Sequence, residues 1–342
     1  MSSMTPEQLT VALRDGGQLP KGTVTNVVQT QHPAEALMSE VFNLEFSYSA
    51  DSDGNRPHRC LLKVVAPQMF RAGKGEVEFY RWLATQDRKP SALIESYGTL
   101  LDDSTSLAAV LMEDRGTALS PPEWPVPPQY AQCQQSVATL AQVHGRWWGG
   151  TELEAVAVTR PPPQQDVPRL AACTTELIDK LGDALSLQRR ALLERVIAYF
   201  PEQHAARLAD SKAATIVHGD AHLWNFLVAE DEAGSCALID WQLWHVDFGV
   251  ADLAYMLALH WFPERRQRYE SDLIRHYVEQ INASGQDYSV DQARSDYRFM
   301  VAGLLTKVVI YASVLPANIW WPHLERAFLA FDDLQCSQLI EG

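Results

Sequence analysis

Cysteine is scarce and unpaired in this sequence. The five cysteines among 342 residues are odd in number, lie far apart and never form a Cys-x-x-Cys pair: Cys60, Cys133, Cys173, Cys236 and Cys336. This usage excludes a disulfide-rich secreted scaffold and a zinc site built on cysteine pairs, because both need closely spaced cysteines. We therefore expect reduced thiols in a cytoplasmic protein.

Long apolar runs and a signal-peptide stretch are also missing. The sequence has no run of 18 or more apolar residues, and MSSMTPEQLTVALRDGG at the N-terminus lacks the apolar core of a signal peptide. The longest apolar candidate, GLLTKVVIYASVL at 303–315, contains Lys307 and has helical periodicity. We interpret it as a core helix and expect no membrane partner.

Basic residues are outnumbered. Lys and Arg total 28 against 43 Asp and Glu, which gives a net charge of −15 at pH 7. Because binding to a phosphate backbone needs clustered Lys and Arg, this balance argues against a nucleic-acid partner. An acidic chain can instead favour a cationic small molecule. With 46% hydrophobic residues, the chain has enough apolar side chains for two domains.

The pattern of apolar residues changes near residue 115. Before it, short apolar runs separated by turn residues predict an antiparallel sheet, and GEVEFYRWLATQ at 75–86 predicts a helix after the third strand. After it, helical periodicity prevails, beginning with one long helix at 128–149. We therefore predict an α+β, two-lobed fold with an N-terminal lobe at 1–114 and a mainly helical C-terminal lobe at 115–342.

A strand-like stretch inside the helical half contains residues typical of phosphoryl transfer. His218-Gly219-Asp220 precedes Asn225, so that Asp and Asn stand five residues apart, as they do in the catalytic loop of protein kinases. In that loop the Asp reaches the acceptor hydroxyl and the Asn binds a Mg²⁺ ion on the ATP phosphates.

Two aspartates compete for the role of second metal ligand. Asp240 directly follows the apolar run CALI, the second strand of a β-hairpin predicted at 226–239. Asp247, which begins a literal Asp-Phe-Gly, comes seven residues later with no predicted strand before it. Because a hairpin would return Asp240 to the edge where Asn225 lies, we choose Asp240 as the ligand and interpret Asp247 as a solvated loop acid.

Three short motifs in this order carry a family resemblance. IVHGDAHLWNFLV at 216–228, LIDWQ at 238–242 and ADLAYML at 251–257 resemble the aminoglycoside phosphotransferase and choline kinase superfamily. They look most like its ecdysteroid-kinase-like branch. The resemblance implies a protein-kinase-like fold over nearly the whole chain. It further implies these roles: Asp220 as catalytic aspartate, Asn225 and Asp240 as Mg²⁺ ligands, and Asp252 and His218 as supports of the catalytic loop.

The same resemblance assigns a lysine in the N-terminal lobe. Kinases use a lysine on the third strand to hold the α- and β-phosphates and a glutamate on the next helix to orient it. Lys63 lies inside the apolar run CLLKVV, where its charge needs a partner. Glu76 is the expected partner, and Glu78 is the alternative.

Two further nucleotide contacts follow from the resemblance. Met112 and Glu113, in VLMED, resemble the hinge whose backbone binds adenine. The loop expected to cover the phosphates, QTQHPAEALMSEVF at 29–42, contains no glycine and so departs from the kinase pattern. We expect Ser39 to offer a backbone N–H or its hydroxyl to a phosphate there.

Some aromatic and histidine side chains are candidates for the acceptor site. Trp241 and Trp244 directly follow the predicted metal aspartate, and His222 stands two residues after Asp220. We consider them as acceptor contacts, although packing is an equally good reading of His222. His144 lies on the buried stripe of the helix at 128–149, where a hydrogen-bonded core histidine is the simpler interpretation.

These features predict an ATP- and Mg²⁺-dependent kinase that phosphorylates a hydroxyl of a small molecule such as an amino alcohol, a sugar or a steroid-like compound. An antibiotic phosphotransferase acting on aminoglycosides or macrolides would share every motif. A nucleotide-binding pseudokinase is the alternative from another class, and the glycine-free loop keeps it open. We expect a monomer or a homodimer.

Overall fold

The computed structural model describes residues 4–33, 39–116, 119–229 and 236–340. The chain divides into two compact units. The first unit consists of Met1–Ser120 and Ala229–Trp244, and the second unit consists of Pro121–Val228 and His245–Gly342. The first contains an antiparallel sheet and the second is mainly helical, so the predicted α+β class is confirmed. The lobes predicted at 1–114 and 115–342 stay a prediction.

The first unit is built on a five-stranded sheet. Its strands are β1 (Val24–Gln31), β2 (Ser39–Tyr48), β3 (Arg59–Val65), β4 (Ser96–Asp102) and β5 (Leu107–Met112). They lie in the order β1-β2-β3-β5-β4, and each neighbouring pair is antiparallel. Lys63 stands opposite Val41 on one side and Val110 on the other. The predicted phosphate-binding lysine therefore lies on the central strand, paired along both edges.

Two helices accompany this sheet. Helix α2 (Phe70–Ala84) covers the predicted stretch and buries its apolar stripe, which includes Val77 and Phe79. Helix α1 (Pro6–Asp15) was not predicted. A capping box starts it: the Thr5 hydroxyl accepts from the Gln8 backbone N–H, and the Gln8 side chain accepts from the Thr5 N–H. Its apolar side joins the core of the sheet.

The second unit consists mainly of helices. They are α3 (Tyr130–Trp147), α4 (Leu153–Thr159), α5 (Val167–Leu181), α6 (Leu187–Asp210), α7 (Val250–Ala254), α8 (Pro263–Ala283), α9 (Val290–Val314) and α10 (Ala317–Asp333). A π-helical turn, Tyr255–Leu259, continues α7. The long helix predicted at 128–149 is present as α3. Helix α10 was not predicted; Pro316 is its N-cap residue and Pro322 lies inside it, where proline usually disfavours a helix.

Helix α9 runs through the core of the second unit. Among the described residues it is the one helix long and apolar enough to cross a membrane by length and composition. However, 67% of its most apolar stretch is buried inside the protein. That burial is typical of a core helix and agrees with the interpretation of 303–315.

Short strands frame the segments that carry the motifs. Strand β6 (Ala214–Val217) pairs antiparallel with β9 (His245–Phe248) inside the second unit. Strands β7 (Phe226–Val228) and β8 (Cys236–Leu238) are present where the hairpin strands were predicted. The predicted turn between them, 230–235, lies outside the described residues. Strand β9 was not predicted, and it contains Asp247.

The close approach of α1 to β4 gives a stability prediction. A Cβ at Gly98 would lie 2.3 Å from the carbonyl oxygen of Ala12 on α1, so Gly98→Ala should push the helix off the sheet. We expect a loss of about 1–3 kcal/mol in the free energy of unfolding, measured with urea. Val28→Ala, at a half-exposed position of the same sheet, should change it by less than about 0.5 kcal/mol. Equal stabilities of the two variants would contradict this packing.

Candidate functional site

Lys63 is the centre of an ion-pair cluster in the first unit. Its Nζ lies 2.7 Å from Oε2 of Glu76 and 2.7 Å from Oδ1 of Asp240. The side chains of Lys63 and Glu76 are buried, and that of Asp240 is 30% exposed. We call Lys63, Glu76 and Asp240 the lysine cluster. Glu76, rather than Glu78, thus contacts the lysine.

The electrostatics of the lysine cluster follow from burial. Burial alone would lower the pKa of Lys63, but the Asp240 and Glu76 carboxylates hold that pKa above its ordinary value. Burial raises the pKa of Glu76, against the opposing effect of Lys63. Lys63 is therefore cationic at neutral pH, as a residue that binds phosphate must be.

Asp240 adopts an uncommon backbone conformation. Its φ of 71° lies in the left-handed region. Residues other than glycine rarely adopt this conformation, although Asp tolerates it better than most. The side chain of Gln242 donates a hydrogen bond to the same carboxylate oxygen that binds Lys63. Strained backbone held by such contacts is concentrated at functional sites.

Trp241 and Trp244 fix the segment after Asp240 to α2. The ring of Trp241 stacks on Phe79 with centroids 4.1 Å apart and an interplanar angle of 1°. Trp244 donates its indole N–H to the carbonyl of Gly75 at 2.9 Å. The exposed fractions are 0% and 3%. Both rings are core side chains, so the expectation that they contact an acceptor was wrong: apolar packing on α2 explains them.

The remaining nucleotide candidates lie on the sheet. Ser39 is the first residue of β2, opposite Val65, and residues 34–38 of the predicted phosphate loop lie outside the described residues. Met112 ends β5. The backbone N–H of Glu113 donates to the carbonyl of Glu95 at 2.9 Å. That N–H is used within the protein, so adenine would have to bind other backbone groups of this segment.

In the second unit, a buried carboxylate holds the loop that follows β6. Asp252 accepts the backbone N–H of His218 at 2.7 Å and that of Gly219 at 2.9 Å. Gly219 has a φ of 78°, a conformation that suits glycine and lets consecutive N–H groups point to one carboxylate. The ring Nδ1 of His218 accepts the N–H of Asp220 at 3.2 Å. His218 and Asp252 thus make the loop contacts that the family resemblance implies.

Asp252 is itself held by a helix. Nε2 of His144, on α3, lies 3.2 Å from Oδ2 of Asp252, while Nδ1 of His144 lies 2.8 Å from the hydroxyl of Tyr277. His144 is therefore the hydrogen-bonded core histidine that the sequence predicted. Burial alone would raise the pKa of Asp252, but hydrogen bonds from His144 and the loop hold it below its usual value.

Asp220 and Asn225 lie at the two ends of one short loop. The amide nitrogen of Asn225 donates to the backbone carbonyl of Asp220 at 2.9 Å, which leaves its carboxamide oxygen as the acceptor atom. The Asp220 side chain is 26% exposed, and one of its oxygens accepts a hydrogen bond from the hydroxyl of Tyr255. Nε2 of His222 lies 3.9 Å from the other oxygen. Asp220 is thus oriented while part of its carboxylate faces outward.

Several neighbours of Asp220 were missed from the sequence. Tyr255 bonds Tyr311 as well as Asp220. Lys307 on α9 donates to the carbonyl of Gly219 and lies over the ring of Tyr255, 4.1 Å from its centroid. A lone lysine in an apolar helix was a usable signal for Lys307, and Tyr255 stands three residues after Asp252 in the quoted motif.

Asp247 is not the solvated loop acid that we expected. It lies on β9, is 1% exposed, and its Oδ1 is 2.7 Å from Nε2 of His204. Gln164 donates to its other oxygen at 3.2 Å. Burial would raise the pKa of Asp247, but His204 and His245 hold it below its ordinary value. The expectation failed because no strand was predicted here. Asp247 is part of a buried hydrogen-bond network.

Asp240 in the first unit and Asn225 in the second each carry an oxygen atom of the kind that Mg²⁺ binds. Mg²⁺ prefers hard oxygen ligands and is commonly bound by one or two side chains together with substrate phosphates. A partly exposed carboxylate and a carboxamide oxygen are such ligands. Within the described ranges, no group of three or more His, Cys, Asp or Glu side chains forms a metal site by itself.

Comparison with known families and folds shows similarity to phosphotransferases. The sequence model described as "Phosphotransferase enzyme family" matches residues 46–289, more than half of the chain. No curated protein sequence matches significantly.

Solved structures with the same fold are distant in sequence. A protein from Ralstonia eutropha that is assigned to the aminoglycoside phosphotransferases is 15% identical with a TM-score of 0.58, and the match covers 97% of this chain and 99% of that one. The GDP and kanamycin complex of APH(2″)-IIia is 11% identical with a TM-score of 0.53, covering 96% and 98%. A Plasmodium vivax ethanolamine kinase is 11% identical with a TM-score of 0.52, covering 90% and 81%. At these identities the likeness shows the fold alone.

The lysine cluster predicts a pH-dependent loss of stability in Lys63→Met. Without the ammonium, Glu76 faces Asp240 in a buried site, so Glu76 should take up a proton. When the pKa of an acid is higher in the folded state than in the unfolded state, the folded protein becomes less stable as the pH rises above the ordinary pKa of that acid, which is near 4.5 for Glu. We expect a loss of about 3 kcal/mol at pH 8 and a smaller loss at pH 4.5, measured by urea unfolding. Lys74→Met removes an exposed lysine of α2 and should cost under 1 kcal/mol at both. Equal losses for Lys63→Met at both pH values would contradict the prediction.

The buried Asp247 predicts the opposite pH dependence. Because its folded-state pKa is depressed, its contribution to stability is present above the ordinary Asp pKa near 4 and is lost as pH falls. Asp247→Asn should lower the free energy of unfolding by about 3 kcal/mol at pH 7, and the difference from wild type should shrink below pH 4. Asp332→Asn, in an exposed pair with Arg189, is the control and should change it by less than 1 kcal/mol. A near-neutral Asp247→Asn would show that Asp247 does not stabilise the fold.

Proposed function

Because the chain belongs to the phosphotransferase enzyme family, we propose that it transfers the γ-phosphate of ATP to a hydroxyl of a small molecule in the presence of Mg²⁺. One observation carries this proposal. The partly exposed carboxylate of Asp220 is held by the Tyr255 hydroxyl, on a loop that the buried Asp252 braces. This is how a residue that must receive a proton from a bound hydroxyl is positioned.

The acceptor side of the reaction depends on Asp220. One carboxylate oxygen is engaged by Tyr255, so the other is the atom that accepts the proton of the acceptor hydroxyl. As the bond from the acceptor oxygen to the γ-phosphorus forms, the bond from that phosphorus to the β–γ bridging oxygen breaks, and ADP leaves. The proton stays on Asp220 until it is released to solvent.

The nucleotide side depends on the lysine cluster. Lys63 carries a full positive charge at neutral pH and would hold the α- and β-phosphates, with Glu76 keeping its Nζ in place. Asn225 and Asp240 would hold Mg²⁺, which neutralises charge on the phosphates. Ser39 and the backbone near Met112 would contact phosphate and adenine. Asp240 is preferred to Asp247 as ligand because Asp247 is used internally by His204.

Solved structures with a similar fold favour a small molecule as the acceptor. The structural neighbours include an ethanolamine kinase and a kanamycin complex, whose named compounds are small molecules, and the second of these structures also contains GDP. A fold does not determine a substrate, so the acceptor must be argued from the side chains near Asp220.

Asp220→Asn tests the proposed reaction. Nucleotide consumption by the wild-type protein would be measured with ATP and Mg²⁺ across amino alcohols, sugars, aminoglycosides and hydroxylated steroids. With the acceptor that is used, Asp220→Asn should lower kcat by about 10²–10⁴-fold, because the proton acceptor is lost. The Kd for ATP should change by less than about threefold, since Asp220 does not hold the nucleotide. Asp210→Asn, an exposed carboxylate at the end of α6, is the matched control and should keep full activity.

Two outcomes would overturn parts of this proposal. Retained turnover in Asp220→Asn would remove Asp220 from catalysis. A wild-type protein that binds ATP but consumes none with any acceptor class would instead favour a nucleotide-binding protein without transfer activity.

A further inference from the structure

Three histidines lie side by side next to Asp220. The ring of His260 is centred 5.2 Å from the ring of His222 and 4.6 Å from the ring of His323. Trp224 also lies next to His260, with the two ring centres 6.0 Å apart. Tyr311 packs against His323 at 6.3 Å. We call this set the imidazole wall: His222, Trp224, His260, Tyr311 and His323.

Each histidine of the imidazole wall presents an orphaned nitrogen. In the imidazole wall, all of whose residues are described, three buried ring nitrogens have no hydrogen-bond partner: Nδ1 of His222, Nε2 of His260 and Nδ1 of His323. A buried polar atom without a partner costs about 1–3 kcal/mol. A bound compound with several hydroxyl groups would supply donors to such nitrogens, because a hydroxyl can donate or accept.

The charged groups around the imidazole wall are cations. Lys307 lies over Tyr255 and contacts the loop carbonyl of Gly219. Arg326 donates to the carbonyl of Leu259 at 3.4 Å. Among the described residues, Asp220 is the one carboxylate with a side-chain contact to the imidazole wall: its oxygen lies 3.9 Å from Nε2 of His222.

The pKa values of His260 and His323 are lowered, so these two rings are neutral at neutral pH. Burial lowers the pKa of His323 to about 4, with further lowering by Arg326 and His222. Burial lowers the pKa of His260 well below its usual value, and the neighbouring imidazoles, Arg326 and Lys307 lower it further. A cation brought into this region would meet the same unfavourable environment that keeps these rings unprotonated.

We propose, on the basis of the function proposed above, that the acceptor is an uncharged polyhydroxy compound bound at the imidazole wall, and that polycations are excluded. The ring nitrogens accept hydrogen bonds from its hydroxyl groups, and Trp224 and Tyr311 cover its apolar faces. Asp220 then receives the proton of the hydroxyl that is phosphorylated. Lys307 and Arg326 disfavour ammonium groups at the same place.

Matched pairs of acceptors test this selectivity. Each pair consists of an uncharged compound and its amino analogue: D-glucose and D-glucosamine, myo-inositol and streptamine, and a hydroxysteroid and its aminosteroid counterpart. Binding would be measured by titration calorimetry with a non-hydrolysable ATP analogue and Mg²⁺, and kcat/KM with ATP. The uncharged member of at least one pair should be favoured by about tenfold or more in both measurements. The pair that shows the preference distinguishes a sugar-like acceptor from a steroid-like one.

Reversing one charge supplies the matched variant. Arg326→Glu places a carboxylate beside the imidazole wall, and we expect it to reduce the preference for the uncharged member by about tenfold. Arg195→Glu makes the same charge change at an exposed position of α6 and should leave the preference unaltered. Neither side chain belongs to the proposed catalytic residues. A second variant, His323→Gln, should raise the KM for the uncharged acceptor while leaving the KM for ATP within about twofold.

The outcomes separate this inference from the proposed function. If the amino compound is favoured or equal in every pair, the inference is overturned, while transfer that depends on Asp220 would still support a phosphotransferase. If an uncharged member binds preferentially but is never phosphorylated, the site assignment stands and the proposed function fails. An unchanged preference in Arg326→Glu would show that the positive charge does not select the acceptor.

Discussion

The buried carboxylate of Asp252 is the constraint on which the loop after β6 depends. A carboxylate that is 1% exposed needs hydrogen-bond donors, and those it has come from different parts of the second unit. Two are consecutive backbone N–H groups of the loop after β6, and one is His144 on α3. The position of Asp220 is thereby set by backbone groups, which cannot change rotamer. His144 is fixed in turn by Tyr277 on α8.

The first unit contains a buried charge of the opposite sign, which also needs partners. Lys63 on the central strand is buried, and its charge is acceptable because Glu76 and Asp240 both reach it. Asp240 can do so because its segment is anchored to α2 through Trp241 and Trp244. The two tryptophans therefore matter for the site through packing rather than by touching a ligand.

The sequence was sufficient for features with a regular period or a fixed spacing. The sheet, the helix at 70–84, the long helix at 130–147 and the Lys63–Glu76 pair could be predicted from these. The features that were missed break the usual signals. Helix α10 contains a proline, α1 is announced only by a capping box, and β9 is a four-residue strand of mixed polarity. Tyr311 and His323 belong to no motif, since they meet Tyr255 and each other only through the packing of separate helices.

The total charge of the chain is a poor guide to the charge at its site. A net charge of −15 suggests a preference for cations, yet the charged side chains that act on His260 of the imidazole wall are Lys307 and Arg326, which together with burial lower its pKa. Many carboxylates are exposed on helices, where water and salt screen them over about 8–10 Å. The buried groups of the imidazole wall are screened far less, which is why we infer that they, rather than the surface, select the acceptor. Charge–charge interactions are stronger where the dielectric constant is low. A few charges near the Asp220 carboxylate would therefore affect acceptor binding more than the excess of acidic residues on the surface does.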